Sequence, residues 1–402
     1  MAKNRNRLPV GFIILLAALT ALGPLTINLY LPALPQISDE LGAGPGQAQL
    51  TMTTVLVGLA AGQLLLGTIS DATGRRRPLA IALGLYTVFS LAIAAAQSVE
   101  LLIVLRFFQG ALGAAGMVIA MAVVRDSFDG LRVARAISRL MLVVGVAPVL
   151  APALGSQLML LGSWRLMFVV LAVAALVLLV FVLFVLDESL PPEARRAGGT
   201  VSALRAYGRL LRDRTFAGLV LIVGFIMAGH FTYITSSTFV FQEFYEVSPQ
   251  LYGLLFGVGS LVVTAGTQIS GALVGRVTPV RILAGALAVA ATGAVATIIT
   301  VTAVGTGPGG LAWFMVALLP TIGAVGVCFP TVAAVALARQ ERDAGSAASL
   351  IGASQFGMAA LGPPLSGLVG DSPVRMGVIM LVMFVIAGSA VLAVARGLRS
   401  LS

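Results

Sequence analysis

Long uncharged apolar stretches follow one another along the chain, separated by short polar breaks. No Asp, Glu, Lys or Arg occurs in residues 8–38, 41–70, 78–99, 140–164, 166–186, 215–242, 247–275, 282–338, 344–370 or 376–395, and residues 101–124 contain only Arg106. A helix crosses a hydrocarbon layer with about 20 residues, so each stretch predicts one crossing. Residues 282–338, 57 in number, are divided by Gly305, Gly307, Pro308, Gly309 and Gly310 and predict two. The pattern therefore predicts twelve transmembrane helices. Outer-membrane strands would alternate polar and apolar positions, and these stretches do not. The first stretch follows Lys3, Arg5 and Arg7 but is too long for a signal peptide, and Tyr30 to Pro35 makes a poor cleavage site, so it is expected to be retained.

The longest polar break, residues 187–214, contains Pro191, Pro192, Gly198 and Gly199. It separates a six-helix bundle in residues 1–187 from a second in residues 215–402, with a linker in residues 188–214. The expected fold is an all-α membrane protein of twelve transmembrane helices in two six-helix pseudo-symmetric bundles, with the substrate path between them.

Composition narrows the class. Of 402 residues, 59% are apolar and 10% charged, whereas a soluble domain carries about a quarter charged residues. This excludes a soluble enzyme, a nucleic-acid-binding domain and a disordered chain. A single cysteine, Cys328, and a single histidine, His230, exclude a disulfide framework and a Cys- or His-rich metal centre, so no metal or cofactor is expected. The net charge of +10 is topological: with the N-terminus inside, 22 of 25 Lys and Arg residues fall on one side. The positive-inside rule places that side, and both termini, in the cytoplasm. No nucleic-acid partner is needed to explain the excess base.

Two motifs carry more specific information. Gly62, Leu64, Gly67, Asp71, Gly74, Arg75, Arg76 and Leu79 run from the end of the second stretch across the break into the third, in the spacing G-x-L-x-x-G-x-x-x-D-x-x-G-R-R-x-x-L. Gly67 suits close helix approach, Gly74 a tight turn, and Asp71 a helix N-terminus or an arginine partner. The fifth stretch holds Gly145, Pro148, Pro152 and Gly155, which leave carbonyls unpaired and weaken the helix locally. The eleventh has a similar pattern in Gly357, Gly362, Pro363, Pro364 and Gly367, while the second half keeps only Gly271, Gly275 and Arg276 as a trace of the first motif.

The first motif resembles the signature loop of the major facilitator superfamily, and the second resembles the motif that marks antiporters within it. Further matches run in order through nearly the whole chain: Pro24 to Pro35, Arg106 with Gln109 and Gly110, Arg125 with Asp126, Glu188 to Glu193, Phe231 to Val240 and Ala344 to Leu350. Together they are similar to the Bcr/CflA group of bacterial drug:proton antiporters, which includes bicyclomycin and chloramphenicol exporters. The resemblance implies that Gly67, Asp71, Gly74, Arg75, Arg76, Arg125 and Asp126 latch the two halves on the cytoplasmic side. It implies an antiporter-motif helix at Gly145, Pro148, Pro152 and Gly155.

The chain departs from that group at Asn28, where an aspartate is usual; that acid is thought to carry the coupling proton or meet cationic drugs. All 15 acids here fall in loops or at span ends. Coupling through another group, absence of coupling, and an Asp-to-Asn variant all stay open. His230 stands where the group often has an apolar residue. Imidazole titrates near neutral pH, so His230 joins Asn28 as a proton-coupling candidate; the alternative is a polar pocket or packing residue. Arg106 is costly in hydrocarbon unless paired. At about 1.5 Å per residue it lies about 10 Å below the outer end of its span, and Asn28 about 14 Å below its own. It is placed to meet Asn28, the substrate, or the carbonyls of a neighbouring helix. The candidates lining the path are Asn28, Tyr30, Arg106, Gln109, His230, Tyr233, Ser237, Phe239 and Gln355. A buried arginine and no buried acid favour neutral or anionic drugs over cations.

The expected activity is export of small amphiphilic drugs, of amphenicol or bicyclomycin type, by alternating access in exchange for protons. The expected setting is a monomer in a bacterial inner membrane. The alternatives are an uncoupled facilitator or importer of a small solute, and a coupling-impaired variant of an antiporter. A membrane sensor would need an output domain, and a membrane enzyme a nucleophile–base cluster; neither is visible, and no enzymatic activity is expected.

Overall fold

Backbone N–H and C=O groups inside hydrocarbon must be satisfied within their own segment, which leaves the helix as the solution for such runs. A computed structural model describes residues 10–195, 199–305, 308–338, 340, 344–369 and 372–398. The first half contains α1 (Val10–Asn28), α2 (Leu34–Glu40), α3 (Pro45–Thr73), α4 (Arg76–Ala94), α5 (Val99–Ser127), α6 (Leu131–Leu160) and α7 (Arg165–Val185). A linker helix, α8 (Gly199–Arg212), follows. The second half contains α9 (Arg214–Phe239), α10 (Pro249–Leu273), α11 (Pro279–Val304), α12 (Pro308–Ala338), α13 (Ala344–Ala359), α14 (Gly362–Val369) and α15 (Pro373–Leu398). No strand occurs among the described residues. The basic positions Lys3, Arg5, Arg7, Arg196, Arg339, Arg342 and Arg399, and the outermost residues of both bundles, lie outside the described residues.

Among the described residues, eleven helices are long and apolar enough to cross a membrane. The twelfth crossing is shared by α13 and α14, which part at Ala360 and Leu361. Pro363 and Pro364 lack the N–H that would continue the helix, and their rings clash with the preceding turn. The twelve-helix fold expected from the sequence is thus the one observed.

Three elements differ in detail from the hydropathy reading. The first stretch is not one helix. It breaks after Asn28, makes a 3-10 turn at Leu31–Ala33 and resumes as α2. Pro32 and Pro35 interrupt the ladder there, because neither has an N–H to give to the carbonyl four residues back. Helix α6 begins nine residues earlier than the apolar run at 140, and the extension carries Arg132, Arg135 and Arg139. Arginine is a good helix former, so the helix outlasts the apolar pattern. The polar linker is partly helical for a similar reason, with α8 amphipathic along its length.

Glycines set the closest helix approaches. A Cβ on Gly58 would collide with the Phe107 carbonyl oxygen, on Gly62 with that of Ala111, and on Gly110 with that of Val55. These three let α3 and α5 meet backbone to backbone. The sequence pointed to Gly67 for this role, but its added Cβ would meet side chains rather than backbone, Val118 at 3.2 Å and Ser349 at 3.8 Å. The halves meet where α3 lies along α13 and α14, and where α6 lies along α10. At the end remote from the basic turns, Gln242 Nε2 donates to the Pro32 carbonyl at 3.0 Å and Gln250 Nε2 to the Ser156 carbonyl at 3.2 Å. The same end is fastened within the first half by Glu40, which accepts from Trp164 Nε1 at 2.8 Å and pairs with Arg165.

Candidate functional site

The turn between α3 and α4 gathers the charged motif. Gly74 holds φ +102°, a backbone angle that side chains resist. Its reversal brings Arg75 under the end of α3. Arg75 Nε donates to Asp126 Oδ2 at 2.8 Å, and Arg75 Nη1 donates to Ser70 Oγ at 2.8 Å and to Asp71 Oδ1 at 2.5 Å. Burial alone would lower the Arg75 pKa, but hydrogen bonds and charge from Asp126 and Asp71 outweigh it and raise the value. Arg76 donates a side-chain bond to the Leu183 carbonyl, while Arg125 stands exposed at the end of α5.

From the sequence, Glu188 is only one of the residues at the head of the linker that carry the family resemblance. Its carboxylate accepts the backbone N–H of Arg75 at 2.8 Å and of Arg76 at 3.2 Å. Those are among the amides that a helix N-terminus leaves without partners. Glu188 is therefore the cap of α4, supplied from more than a hundred residues away, and no local spacing could have signalled it. The named ion pairs of this motif lie within the first half. The second half approaches the end of α3 at Gly67, which sits beside Ser349, and the linker helix α8 approaches it through Tyr207, whose OH donates to the Leu64 carbonyl at 3.4 Å.

A second polar cluster lies inside the first bundle. Because α1 stops at Asn28, its last carbonyls lose their helical partners. Arg106 takes one of them: Nη1 and Nη2 donate to the Thr26 carbonyl at 3.2 and 3.1 Å. A cation at a helix C-terminus also complements the dipole. Arg106 Nη1 donates to Gln109 Oε1 at 2.6 Å, and Gln109 Nε2 donates onward to Ser90 Oγ at 2.8 Å. The guanidinium carbon lies 4.0 Å from the centre of the Tyr30 ring, within cation–π range. Arg106 is 0% exposed. Of the three partners that sequence allowed, its hydrogen bonds go to the neighbouring carbonyl rather than to Asn28.

Asn28 instead bonds within its own helix, Nδ2 to the Pro24 carbonyl at 2.8 Å, and its buried Oδ1 has no hydrogen-bond partner. On α9, half-buried His230 also leaves Nδ1 without one. Its ring centre is 6.0 Å from that of Tyr233, which stacks on Phe256 at 5.7 Å. Ser237 bonds to the Ile234 carbonyl at 3.0 Å, Phe239 is buried, and Gln355 is half-buried on α13. The structure thus joins Tyr30, Arg106 and Gln109 in one cluster and His230 and Tyr233 in another. Gln63, which the sequence did not single out, lies between the halves: Nε2 reaches Met117 Sδ at 3.5 Å, and Gly352 of α13 abuts its side-chain amide. Its only signal was an amide amid an apolar run.

The Gly/Pro helix α6 has a legible role. Pro152 has no N–H to give to the carbonyl four residues back. That carbonyl, on Pro148, accepts instead from Ser260 Oγ of α10 at 3.3 Å. A bond lost inside one helix is replaced by one between the halves. Gly155 lies against the Leu29 carbonyl, where a Cβ would collide, whereas a Cβ on Gly145 would touch nothing. Among the described residues no three His, Cys, Asp or Glu side chains are grouped to hold a metal ion.

Comparison with known proteins places this geometry. A family model described as Major Facilitator Superfamily matches residues 16–363. A Bacillus subtilis (strain 168) protein named Uncharacterized MFS-type transporter YdgK is 36% identical over 389 residues, covering 96% of this chain and 95% of that one. The Bicyclomycin resistance protein homolog of Haemophilus influenzae is 27% identical over 371 residues, covering 89% of each. Among solved structures, the bacterial homolog of the human lysosomal transporter Spinster, inward-facing and unoccupied, superposes with a TM-score of 0.74 over 97% of each chain at 16% identity.

Proposed function

Because the chain belongs to the major facilitator superfamily, we propose that it exports small neutral amphiphilic drugs, of bicyclomycin or amphenicol type, by alternating access between residues 1–187 and 215–402. The observation that carries this reading is the buried, unpartnered Oδ1 of Asn28 at the break in α1. An orphaned acceptor costs free energy until a donor fills it, and a drug hydroxyl or amide N–H is such a donor. The likeness to a bicyclomycin resistance homolog supports the same class. Anionic drugs are disfavoured because both Nη atoms of Arg106 are committed to Thr26 and Gln109, which leaves only the buried Nε without a partner. Cationic drugs are disfavoured because no carboxylate among the described residues stands in the middle of a crossing.

In this reading the basic end faces the cytoplasm of a bacterial inner membrane, the transporter works as a monomer, and protons move the other way. Asn28 and His230 are the coupling candidates. An uncoupled facilitator is the second reading, favoured by that same lack of a mid-membrane carboxylate. Drug flux in proteoliposomes under an imposed pH gradient separates the two, with chloramphenicol and a cationic dye as probes. Accumulation of chloramphenicol by the unaltered chain supports exchange through a group other than a carboxylate, and His230→Phe then tests that group. Accumulation only by Asn28→Asp identifies a coupling-impaired antiporter. Equilibration by both, with no accumulation, overturns the antiport reading.

A further inference from the structure

Helix α8 has three differently built faces. Ala206, Tyr207 and Leu210 are buried, and the helix touches α3 of the first half and α9 and α13 of the second. Leu204 and Leu211, two turns apart and so on one side, are 62% and 49% exposed with Gly208 between them. The third side carries Arg205 and Arg212, again two turns apart, with Arg209 between them; all three are exposed. The helix itself contains no acidic residue. Asp213, just beyond it, is occupied: its carboxylate accepts the Thr215 and Phe216 amides at 2.9 and 3.3 Å and the Gln340 side chain at 3.3 Å.

The order of these faces around the helix is informative. The exposed leucines flank the buried face on one side, and the arginines flank it on the other. Helix α8 runs through Asp213 into the first residue of α9, which crosses the bilayer, and its Tyr207 reaches the Leu64 carbonyl of α3, so α8 lies near the depth of the lipid headgroups. An interfacial helix sinks its apolar side toward the acyl chains and keeps its cations at headgroup level. A guanidinium fork matches two oxygens of a phosphate. We propose that Arg205 and Arg212 bind the headgroup phosphates of anionic phospholipids while Leu204 and Leu211 seat among their acyl chains. A lipid held there lies on the seam between the halves. This assignment does not depend on which molecule is exported.

Native mass spectrometry of the full chain tests it, by counting retained phosphatidylglycerol against phosphatidylcholine of the same acyl chains. The unaltered protein is expected to retain the anionic lipid preferentially. A cation near an anionic lipid surface contributes about five-fold in binding, so Arg205→Gln with Arg212→Gln should cut that preference by roughly 25-fold. Arg281→Gln, at an exposed position at the start of α11, should leave it intact. Leu204→Ser with Leu211→Ser should lower retention of both lipids alike. Thermal unfolding of each variant identifies any loss due to misfolding, and single Arg205→Lys and Arg212→Lys variants, which keep the charge, should retain most of the preference. Equal retention of the two lipids by the unaltered chain, an undiminished preference in the double arginine variant, or displacement by free inorganic phosphate at low concentration would overturn the proposal.

Discussion

Glu188 Oε1 lies 2.8 Å from the backbone nitrogen of Arg75. The chain leaves the first bundle and at once folds its carboxylate back onto the turn that opens α4. That turn also holds the Arg75–Asp126 pair, so the linker and the charged motif form one unit. Replacing Glu188 with alanine removes the cap. Loss of a helix cap costs about 1 kcal/mol, up to about 2, which differential scanning of the purified protein would register as a lower Tm. Glu188→Gln, which keeps an acceptor, should fall between.

The same residue gives a pH dependence. Burial pushes the Glu188 carboxyl upward, but amides from Arg75, Leu190 and Arg76 and the charge of Arg195 outweigh it and hold its pKa below the usual range. A depressed carboxylate stabilises the fold above its unfolded pKa, and that stabilisation disappears as pH falls through the folded value. Stability should therefore decline as pH drops below about 4.3, the ordinary glutamate value. Glu188→Ala should show a shallower decline over that window. Parallel profiles for the two proteins would contradict this.

Gly145 and Gly155 belong to one motif but not to one environment. Gly155→Ala forces a Cβ against the Leu29 carbonyl, and overpacking of this kind costs about 1–3 kcal/mol. Gly145→Ala meets nothing and removes a helix-weakening glycine, so it should be neutral or gain up to about 1 kcal/mol. Thermal unfolding of the two variants side by side measures the difference, and drug resistance in cells should follow the same order.

Arg106 is expected to act on folding more than on drug affinity. Arg106→Met strands the Thr26 carbonyl and the Gln109 amide in the interior, at about 1–3 kcal/mol for each unsatisfied group. Arg106→Lys keeps the charge but cannot reproduce the fork and should lie between. The expected signature is a lowered Tm with the KM for drug unchanged in the folded fraction. A raised KM at unchanged Tm would place Arg106 in contact with substrate instead.

His230→Phe keeps a ring beside Tyr233 and deletes the unpartnered Nδ1. One lost hydrogen bond to a neutral ligand is worth about 0.5–1.5 kcal/mol, so the KM for drug should rise by up to about tenfold with stability preserved. Transport kinetics at fixed pH provide the reading, and an unaltered KM would exclude His230 from the binding surface.

The large architecture was legible because crossings depend on length and charge, which the chain displays one residue at a time. The turn around Gly74 was legible for the same reason: Asp71 and Arg75 are four positions apart, close enough for a reversal at Gly74 to pair them. What stayed hidden depended on direction or on distant partners. Depth along a helix placed Arg106 and Asn28 near one level, but only rotation about the helix axis decides which atom the guanidinium meets. The α1 break supplied a better partner, the bare Thr26 carbonyl, and no apolar count contains that information. Glu188 was hidden because its partner is 113 positions away. The close approach fell to Gly58, Gly62 and Gly110 rather than Gly67 because register between α3 and α5 decides which glycine faces a backbone.

The interruption between α13 and α14 bears on bookkeeping as well as shape. Neither piece, at 16 and 8 residues, is long enough to cross a bilayer by itself, and eleven other helices among the described residues are long and apolar enough to do so. An odd number of passages would leave α1 and α15 opening onto opposite aqueous compartments. The divided passage restores even parity, and the chain returns to the compartment it left. Without the divided passage, the segment between α14 and α15 and the end of α15 would each lie on the opposite side of the membrane.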